Sequence, residues 1–124
     1  MKTHLRGSND FQKVYRTGKR YEGVFLTAFV APNSLEHHRL GVTASRRAIG
    51  KAVDRNRAKR LLRETFRVTG DSLNSLQKKY DWVLNARRTL LTPESRNRVE
   101  EFERIVTSVA REEEAGSMVE SQTV

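Results

Sequence analysis

The chain has 124 residues, and its 24 Lys and Arg side chains against 15 Asp and Glu give a formal net charge of +9 at pH 7. This length suits a single domain with a hydrophobic core of its own. The absence of cysteine excludes a disulfide framework, a Cys-containing zinc site and a thiol nucleophile. The sequence shows neither an apolar run of membrane-spanning length nor the apolar segment of a secretory signal, so we expect a cytoplasmic protein.

A first helix is predicted near the start of the chain. Ser8 or Asn9 can cap its first turn, because short polar side chains accept hydrogen bonds from free backbone N–H groups there. Phe11, Val14 and Tyr15 share one face of this helix by their i, i+3, i+4 spacing. The spacing predicts that this face packs against the rest of the domain.

Two strands are predicted next, because residues 21–30 and residues 39–45 alternate in character. In the first strand, one side carries Val24, Leu26, Ala28 and Val30, and the other carries Tyr21, Phe25, Thr27 and Phe29. The second strand places Leu40, Val42 and Ala44 inward. The short loop between the two strands favours an antiparallel pair.

A strongly basic helix is predicted from Asp54, which can cap it, to about residue 68, with Gly70 as the stop. Residues 46–67 contain nine Lys and Arg residues but only two acidic ones. Four cations form a stripe with i, i+4 spacing: Arg55, Lys59, Arg63 and Arg67. Like charges at this spacing cost roughly 0.2–0.5 kcal/mol per pair, which favours an anionic partner such as a phosphate backbone. The alternative is a solvated face that only aids solubility, but ordinary charged faces mix the two signs.

The rest of the chain predicts a third strand and a last helix. Residues 80–86 form the strand, with Trp82 and Leu84 as core residues, and Pro93 opens the helix. The apolar seam of that helix comprises Val99, Phe102, Val106 and Val109. The order helix, strand, strand, helix, strand, helix predicts one α+β domain over residues 1–110, with a mainly antiparallel central sheet. Residues 111–124 are acidic and are expected to form a disordered tail.

Aromatic side chains suggest a second binding surface. Phe11 and Tyr15 on the first helix, with Phe25 and Phe29 on the first strand, can form a platform on which unpaired bases stack. The same spacing is compatible with Phe25 and Phe29 being ordinary core residues between helix and sheet. The sequence leaves both interpretations open.

No catalytic or metal-binding constellation is evident in the sequence. His4, His37 and His38 have no acidic residues at metal-ligand spacing, and the aspartates are scattered. A self-sufficient metal-dependent nuclease would need a carboxylate cluster, so this class is disfavoured. Binding of the basic helix to a membrane surface is also disfavoured, because its apolar side is needed for packing in so small a domain.

A central segment combines Ser45-Arg46-Arg47, Gly50-Lys51-Ala52-Val53 and Arg55-Asn56-Arg57-Ala58-Lys59-Arg60-Leu61. This segment resembles the signature of the bacterial ribonuclease P protein subunit. The segment DFQKVYRTG at residues 10–18 is similar to the first helix of that family, and YDWVLNAR at residues 80–87 is similar to its third strand. The resemblance covers roughly residues 3–110.

The resemblance implies a fold like domain 2 of ribosomal protein S5, with a left-handed βαβ crossover that general rules would not predict. It also implies a role in removing the 5′ leader of precursor tRNA, with Mg²⁺ and the chemistry supplied by a catalytic RNA subunit. The side chains expected to bind the RNA subunit are Arg46, Arg47, Lys51, Arg55, Asn56, Arg57, Lys59, Arg60 and Arg63. The side chains expected to bind the leader are Phe11, Tyr15, Phe25 and Phe29.

The implied partners are therefore the ribonuclease P RNA subunit and precursor tRNA, with no membrane and no metal bound by the protein itself. The protein alone is expected to be a monomer. The alternative function is a general RNA-binding module, ribosomal or chaperone-like, without a part in RNA cleavage.

Overall fold

A four-stranded sheet with helices on both sides forms the domain in the computed structural model, which describes residues 4–122 and the side chains of residues 4–116. The strands are β1 (Lys19–Glu22), β2 (Leu26–Pro32), β3 (Arg39–Thr43) and β4 (Tyr80–Ala86). The helices are α1 (Gly7–Thr17), α2 (Ala52–Val68), α3 (Gly70–Asn74) and α4 (Arg98–Gln122). Two short 3₁₀ helices, Arg88–Leu91 and Pro93–Asn97, connect β4 to α4.

The strand order is β1-β2-β4-β3, and β4 lies in the centre between the two strands that the sequence predicts to be neighbours. β2 pairs with both β1 and β4 in the antiparallel sense, whereas β3 pairs with β4 in the parallel sense. The α+β class and the mainly antiparallel sheet are thus confirmed. The predicted direct pairing of β2 with β3 is wrong, because Trp82 and its neighbours on β4 occupy the place between them, opposite Val30 and Leu40. Helix α2 joins the parallel neighbours β3 and β4.

The predicted strand over residues 21–30 is in fact a hairpin of two strands, β1 and β2. The chain turns at Gly23, whose N–H donates to the carbonyl of Leu26 over 2.9 Å. The N–H groups of Val24 and Phe25 donate to the buried carboxylate of Glu101 on α4. Val24, which alternation placed on the same side as Leu26, Ala28 and Val30, is 62% exposed, whereas those three residues are buried. The alternating pattern of residues 21–30 continues across the turn, so the local sequence does not reveal that the chain turns there.

The larger hydrophobic core lies between the sheet and helices α2 and α4. Trp82 is at its centre, and its ring meets those of Phe66 and Phe102 at centroid distances of 6.2 and 5.4 Å. Trp82 and Leu84 are both fully buried, as predicted. A smaller cluster on the opposite face of the sheet comprises Leu5, Val14, Ala31 and Val83, with Phe11 and Phe29 packed against it.

Two helix beginnings differ from the sequence-based predictions. Helix α1 begins at Gly7, after Arg6, and Asp10 accepts a hydrogen bond from the backbone N–H of Arg6, so neither Ser8 nor Asn9 is the cap. Helix α2 begins two residues before Asp54, which lies in its first turn. At the other end of α2, the predicted stop Gly70 begins the short helix α3.

The last helix begins later and ends later than predicted. Pro93 starts a 3₁₀ helix, and α4 itself begins at Arg98. The predicted seam residues Phe102, Val106 and Val109 are buried, whereas Val99 is only half-buried and Ile105 takes a core position.

Helix α4 also continues without a break across the boundary predicted at residue 110. Glu113 is buried and accepts hydrogen bonds from the backbone of Gln77 and Lys78, each over 2.9 Å, and from the hydroxyl of Tyr80 over 2.6 Å. The first residues of the predicted disordered tail are therefore part of the folded domain.

Candidate nucleic-acid interface

Helix α2 separates its polar and apolar residues between two sides, as the sequence predicts. Ala58, Leu62 and Thr65 are fully buried against the core, and Leu61 and Phe66 are partly buried beside them. The residues expected to bind the RNA subunit form what we call the basic surface: Arg46, Arg47, Lys51, Asn56, Arg57, Arg60 and Arg63 are exposed, and Arg55 and Lys59 are half-buried. One helix and the loop before it thus carry the whole predicted set.

The cations of the basic surface are not neutralised by carboxylates of the described residues. The ion pairs in that part of the chain are Lys19–Glu112, Arg20–Glu22, Arg39–Asp81 and Arg98–Glu64. Glu64, one of the two acidic residues in the segment 46–67, pairs with Arg98 of α4 over 3.3 Å. Because the positive charges lack internal partners there, they are available to an external anion.

A tight turn brings two of the arginines to the start of α2. The N–H of Ile49 donates to the carbonyl of Ser45 over 2.9 Å, and the N–H of Ala48 donates to the Ser45 hydroxyl over 3.0 Å. Gly50 follows with φ of 98°, a conformation that side chains other than glycine rarely adopt. Arg55 reaches back from the helix to donate to the Gly50 carbonyl. These bonds fix the loop that carries Arg46 and Arg47.

A second surface, the aromatic face, lies between α1 and the sheet and comprises Phe11, Tyr15 and Phe29 with the polar residues Thr43 and Asn85. Tyr15 and Phe29 meet edge to face, with ring centroids 4.8 Å apart and planes at 85°. Tyr15 is 38% exposed and donates its hydroxyl hydrogen to Asn85 over 3.0 Å, and Thr43 donates to the same Asn85 oxygen over 2.6 Å. The guanidinium of Arg20 lies 5.9 Å from the centre of the Phe29 ring.

The ring of Phe11 packs directly over Gly41 of strand β3. A Cβ atom at position 41 would lie 2.5 Å from Cζ of Phe11, which is closer than carbon atoms approach without displacement. The absence of a side chain at Gly41 therefore allows the phenyl ring to lie against the strand. Arg63 and Phe11 both line a small cavity of about 130 Å³ at this point, so the basic surface comes close to the aromatic face.

Phe25, the fourth aromatic residue expected to bind the leader, does not belong to this face. It is 7% exposed and lies in the larger core on the α2 and α4 side. The hairpin turn between β1 and β2 puts Phe25 outside the β2 ladder, so it does not share the direction of Phe29. For Phe25, the core interpretation that the sequence left open is the correct one.

Asn85, Thr43 and Arg20 were not predicted as site residues. Alternation puts Thr43 on the side of its strand opposite to Leu40, Val42 and Ala44, and Asn85 is a polar residue between the apolar residues Leu84 and Ala86 of β4. An amide at such a position indicates a polar contact on that face, and this was the signal available in the sequence. Arg20 gave no such signal, because its approach to Phe29 depends on the β1–β2 pairing.

Next to the aromatic face, one ion pair fixes the ends of strands β3 and β4. Asp81 accepts two hydrogen bonds from Arg39, over 2.8 and 2.6 Å, and a third from Asn33 over 2.9 Å. Burial alone would raise the pKa of the Asp81 carboxyl, but these hydrogen bonds and the guanidinium charge lower it below its ordinary value. The pair therefore stays ionised near neutral pH.

A metal-binding cluster and a membrane-spanning helix are both missing from the described residues. No three or more His, Asp or Glu side chains lie together in an arrangement that could hold a metal ion. None of the helices in that part of the chain combines the length and the apolar composition needed to cross a bilayer.

A small mixed-sheet domain with an unneutralised basic helix beside an aromatic face is the architecture of an RNA-binding protein. The family model described as Ribonuclease P matches residues 1–110. The chain is 36% identical over 113 residues to the ribonuclease P protein component of Caldanaerobacter subterraneus, covering 90% of this chain and 93% of the relative. It is 30% identical over 115 residues to that of Coxiella burnetii, covering 93% and 92%. The chain belongs to the ribonuclease P protein family.

The fold agrees with this membership. The solved structure of the Staphylococcus aureus RNase P protein superimposes with a TM-score of 0.72, covering 88% of this chain and 96% of that one at 24% identity. At this identity the similarity establishes the α+β fold alone. The family match and the two relatives identify the chain as a protein component of ribonuclease P, an endoribonuclease.

Proposed function

We propose that this chain binds the catalytic RNA subunit of ribonuclease P through its basic surface and the single-stranded 5′ leader of precursor tRNA through its aromatic face. It thereby promotes endonucleolytic removal of the leader, in the cytoplasm, without performing the bond cleavage. Mg²⁺ and the cleavage chemistry belong to the RNA subunit in this proposal, and the protein by itself is a monomer. The observation that carries the proposal is the set of α2 cations without carboxylate partners among the described residues.

The basic surface suits the backbone of a folded RNA. Arginine guanidinium groups form paired hydrogen bonds with phosphate oxygens, and Arg57 and Arg60 are exposed on the same side of α2. Neutralising about six phosphates would give a slope of about −4 to −5 in log affinity against log salt concentration. A measured affinity that hardly changes with salt would contradict this electrostatic account.

The aromatic face suits an unpaired strand. The exposed part of Tyr15 and the half-buried rings of Phe11 and Phe29 offer apolar surfaces of a kind on which bases stack, at about 1–3 kcal/mol per base. A precursor tRNA has this strand and a mature tRNA does not. Binding energy at the aromatic face therefore distinguishes substrate from product.

The proposal is tested by cleavage of precursor tRNA. A ribonuclease P RNA is incubated with the precursor at low Mg²⁺, with and without the protein, and release of the 5′ leader is followed over time. We expect the protein to increase the rate of leader release. A variant in which Arg57 and Arg60 are both alanine serves as the matched control and should stimulate less. A folded wild-type protein that binds RNA without any stimulation would support the general RNA-binding module instead.

A further inference from the structure

A further cavity adjoins the C-terminal end of the basic surface, which it meets at Arg63. It has a volume of about 570 Å³ and lies between the C-terminal half of α2, the short helix α3 and the edge strand β3. This volume falls within the range of roughly 300–1,000 Å³ found for small-molecule sites. Leu40, Phe66 and Leu73 supply its apolar walls, and we call it the α2–α3 cavity.

The walls of the α2–α3 cavity are held by specific contacts. The Nδ1 atom of His38 accepts hydrogen bonds from the backbone N–H of Tyr80 over 3.0 Å and from the indole N–H of Trp82 over 3.1 Å. Its Nε2 atom donates to the carbonyl of Leu73 on α3 over 3.1 Å. Phe66 packs on Trp82 and Phe102. The cavity is therefore preformed, because its walls are already fixed by the core of the domain.

The rim of the α2–α3 cavity is mainly cationic. Arg63, Arg67 and Lys79 lie on it, with Glu36 as the acidic residue. Neither arginine forms an ion pair with a carboxylate of the described residues. Both arginines belong to the stripe on α2, so the line of charges that suits a phosphate backbone ends at the opening of an apolar cavity.

We propose that the α2–α3 cavity holds one unpaired nucleobase of the RNA subunit, with the adjoining phosphate bound by Arg63 and Arg67. The proposal rests on the proposed function, because it extends the path of the same RNA along α2. A base needs an apolar, partly aromatic surface, which Leu73 and Phe66 provide, while the rim supplies the charge that its phosphate needs. An apolar peptide or lipid chain would not need the cations, and an isolated phosphate would not need the apolar walls.

The first test uses adenosine 5′-monophosphate and ribose 5-phosphate as probes with the unmodified full-length protein. Binding of each is followed by the amide signals in two-dimensional NMR spectra. We expect the nucleotide to bind about tenfold more tightly than the sugar phosphate, since a stacked base contributes on that scale. The perturbed signals should include those of Leu73 and Lys79. Equal affinities, or perturbations confined to the aromatic face, would overturn the proposal.

The second test blocks the cavity. Because the chain contains no cysteine, Asn74→Cys at the cavity rim introduces a unique thiol that a bulky maleimide can modify. The matched control is Glu103→Cys on the exposed side of α4, modified in the same way. We expect modified N74C to lose nucleotide binding and to bind the RNA subunit about tenfold more weakly, while modified E103C behaves like the wild type. Unchanged binding of both ligands by modified N74C would refute the proposal.

These outcomes are distinguishable from failure of the proposed function. If the wild type stimulates leader removal but blocking the cavity changes neither nucleotide nor RNA binding, only the base-binding site is wrong. If the wild type does not stimulate leader removal, the proposed function is wrong, and the nucleotide titration still decides whether the cavity takes a base. If modified N74C does not fold, as judged by its amide spectrum, the titration of the unmodified protein decides by itself.

Discussion

On α2, the side chains proposed to bind RNA point away from the core, whereas on α1 and the sheet the proposed leader-binding rings are also packing residues. Arg57 and Arg60 are exposed on the side of the helix opposite the fully buried Leu62. Phe11 and Phe29, in contrast, are partly buried against the smaller hydrophobic cluster. Binding and folding can therefore be varied separately on α2, but they are coupled on the aromatic face.

The largest expected effect tests the buried side of α2. Replacing Leu62 by alanine should lower the free energy of unfolding by about 2–5 kcal/mol, because the side chain is fully buried and leaves a cavity. Chemical denaturation followed by circular dichroism measures this. Leu61→Ala is the matched control and should cost less, since Leu61 is only partly buried. Equal losses at the two positions would contradict the division of the helix into two sides.

Removing positive charge from the exposed side of α2 should weaken RNA binding and leave the free energy of unfolding almost unchanged. We expect the double variant Arg57→Ala with Arg60→Ala to bind the RNA subunit roughly 100-fold more weakly, at roughly tenfold for each charged hydrogen-bonding side chain. Its salt dependence should also be less steep, while its free energy of unfolding stays within about 0.5 kcal/mol of the wild type. Filter binding at several salt concentrations measures the affinity. Arg104→Ala, an exposed cation on α4, is the control and should bind normally.

A substitution on the aromatic face should alter substrate discrimination. Phe11→Ala should reduce the preference for precursor over mature tRNA by about tenfold, as expected for the loss of one stacked base. The free energy of unfolding of this variant should also decrease, because the Phe11 ring packs on strand β3. Phe25→Leu is the control, since Phe25 lies in the other core and should leave the preference unchanged. If Phe11→Ala keeps the preference and Arg57→Ala removes it, the two surfaces have exchanged roles.

The smallest expected effect concerns pH and the His38 side chain. Burial lowers the pKa of His38, and Lys79 lowers it further, against the raising effects of the backbone contacts and Glu113. With its pKa lower in the folded than in the unfolded state, the neutral ring stabilises the fold. This contribution is complete above the unfolded-state pKa of about 6.5 and is lost as the pH falls from there through the folded-state value.

The free energy of unfolding should therefore decrease on acidification below about pH 6.5. Denaturation curves at a series of pH values measure this decrease. In His38→Gln this part of the pH dependence should disappear, whereas His37→Gln should retain it. A decrease that is equally steep in the wild type and in His38→Gln would show that other groups cause it.

Helix α2 and its exposed cations were predictable because charge and hydrophobicity repeat with the helical period, and Ala58, Leu62 and Thr65 are buried as the pattern requires. The hairpin of β1 and β2 was not predictable in this way. Its turn is held by Glu101, 77 residues away from Val24 in the sequence, so no local signal marks it. For the same reason, the sequence could not show that β4 separates β2 from β3.

Only part of the aromatic face could be predicted from the sequence. The helical spacing of Phe11 and Tyr15 placed both on one face of α1, but the position of Phe25 depended on the unrecognised turn. At the C-terminal end, the negative charge of the sequence also did not predict the structure correctly. The acidic run predicts disorder, yet Glu113 is held by backbone groups of the loop before β4, to which its charge is complementary.

Because Phe11 contacts Gly41, the substitutions that are tolerated at these two positions, 30 residues apart in the sequence, should depend on each other. A side chain at position 41 would have to displace the phenyl ring, so substitution there should be tolerated only together with a smaller residue at position 11. A double-mutant cycle of Gly41→Ala and Phe11→Leu should therefore give strongly non-additive stabilities. Among relatives that keep this domain, the two positions should covary, and the spacing between α1 and strand β3 would change with them.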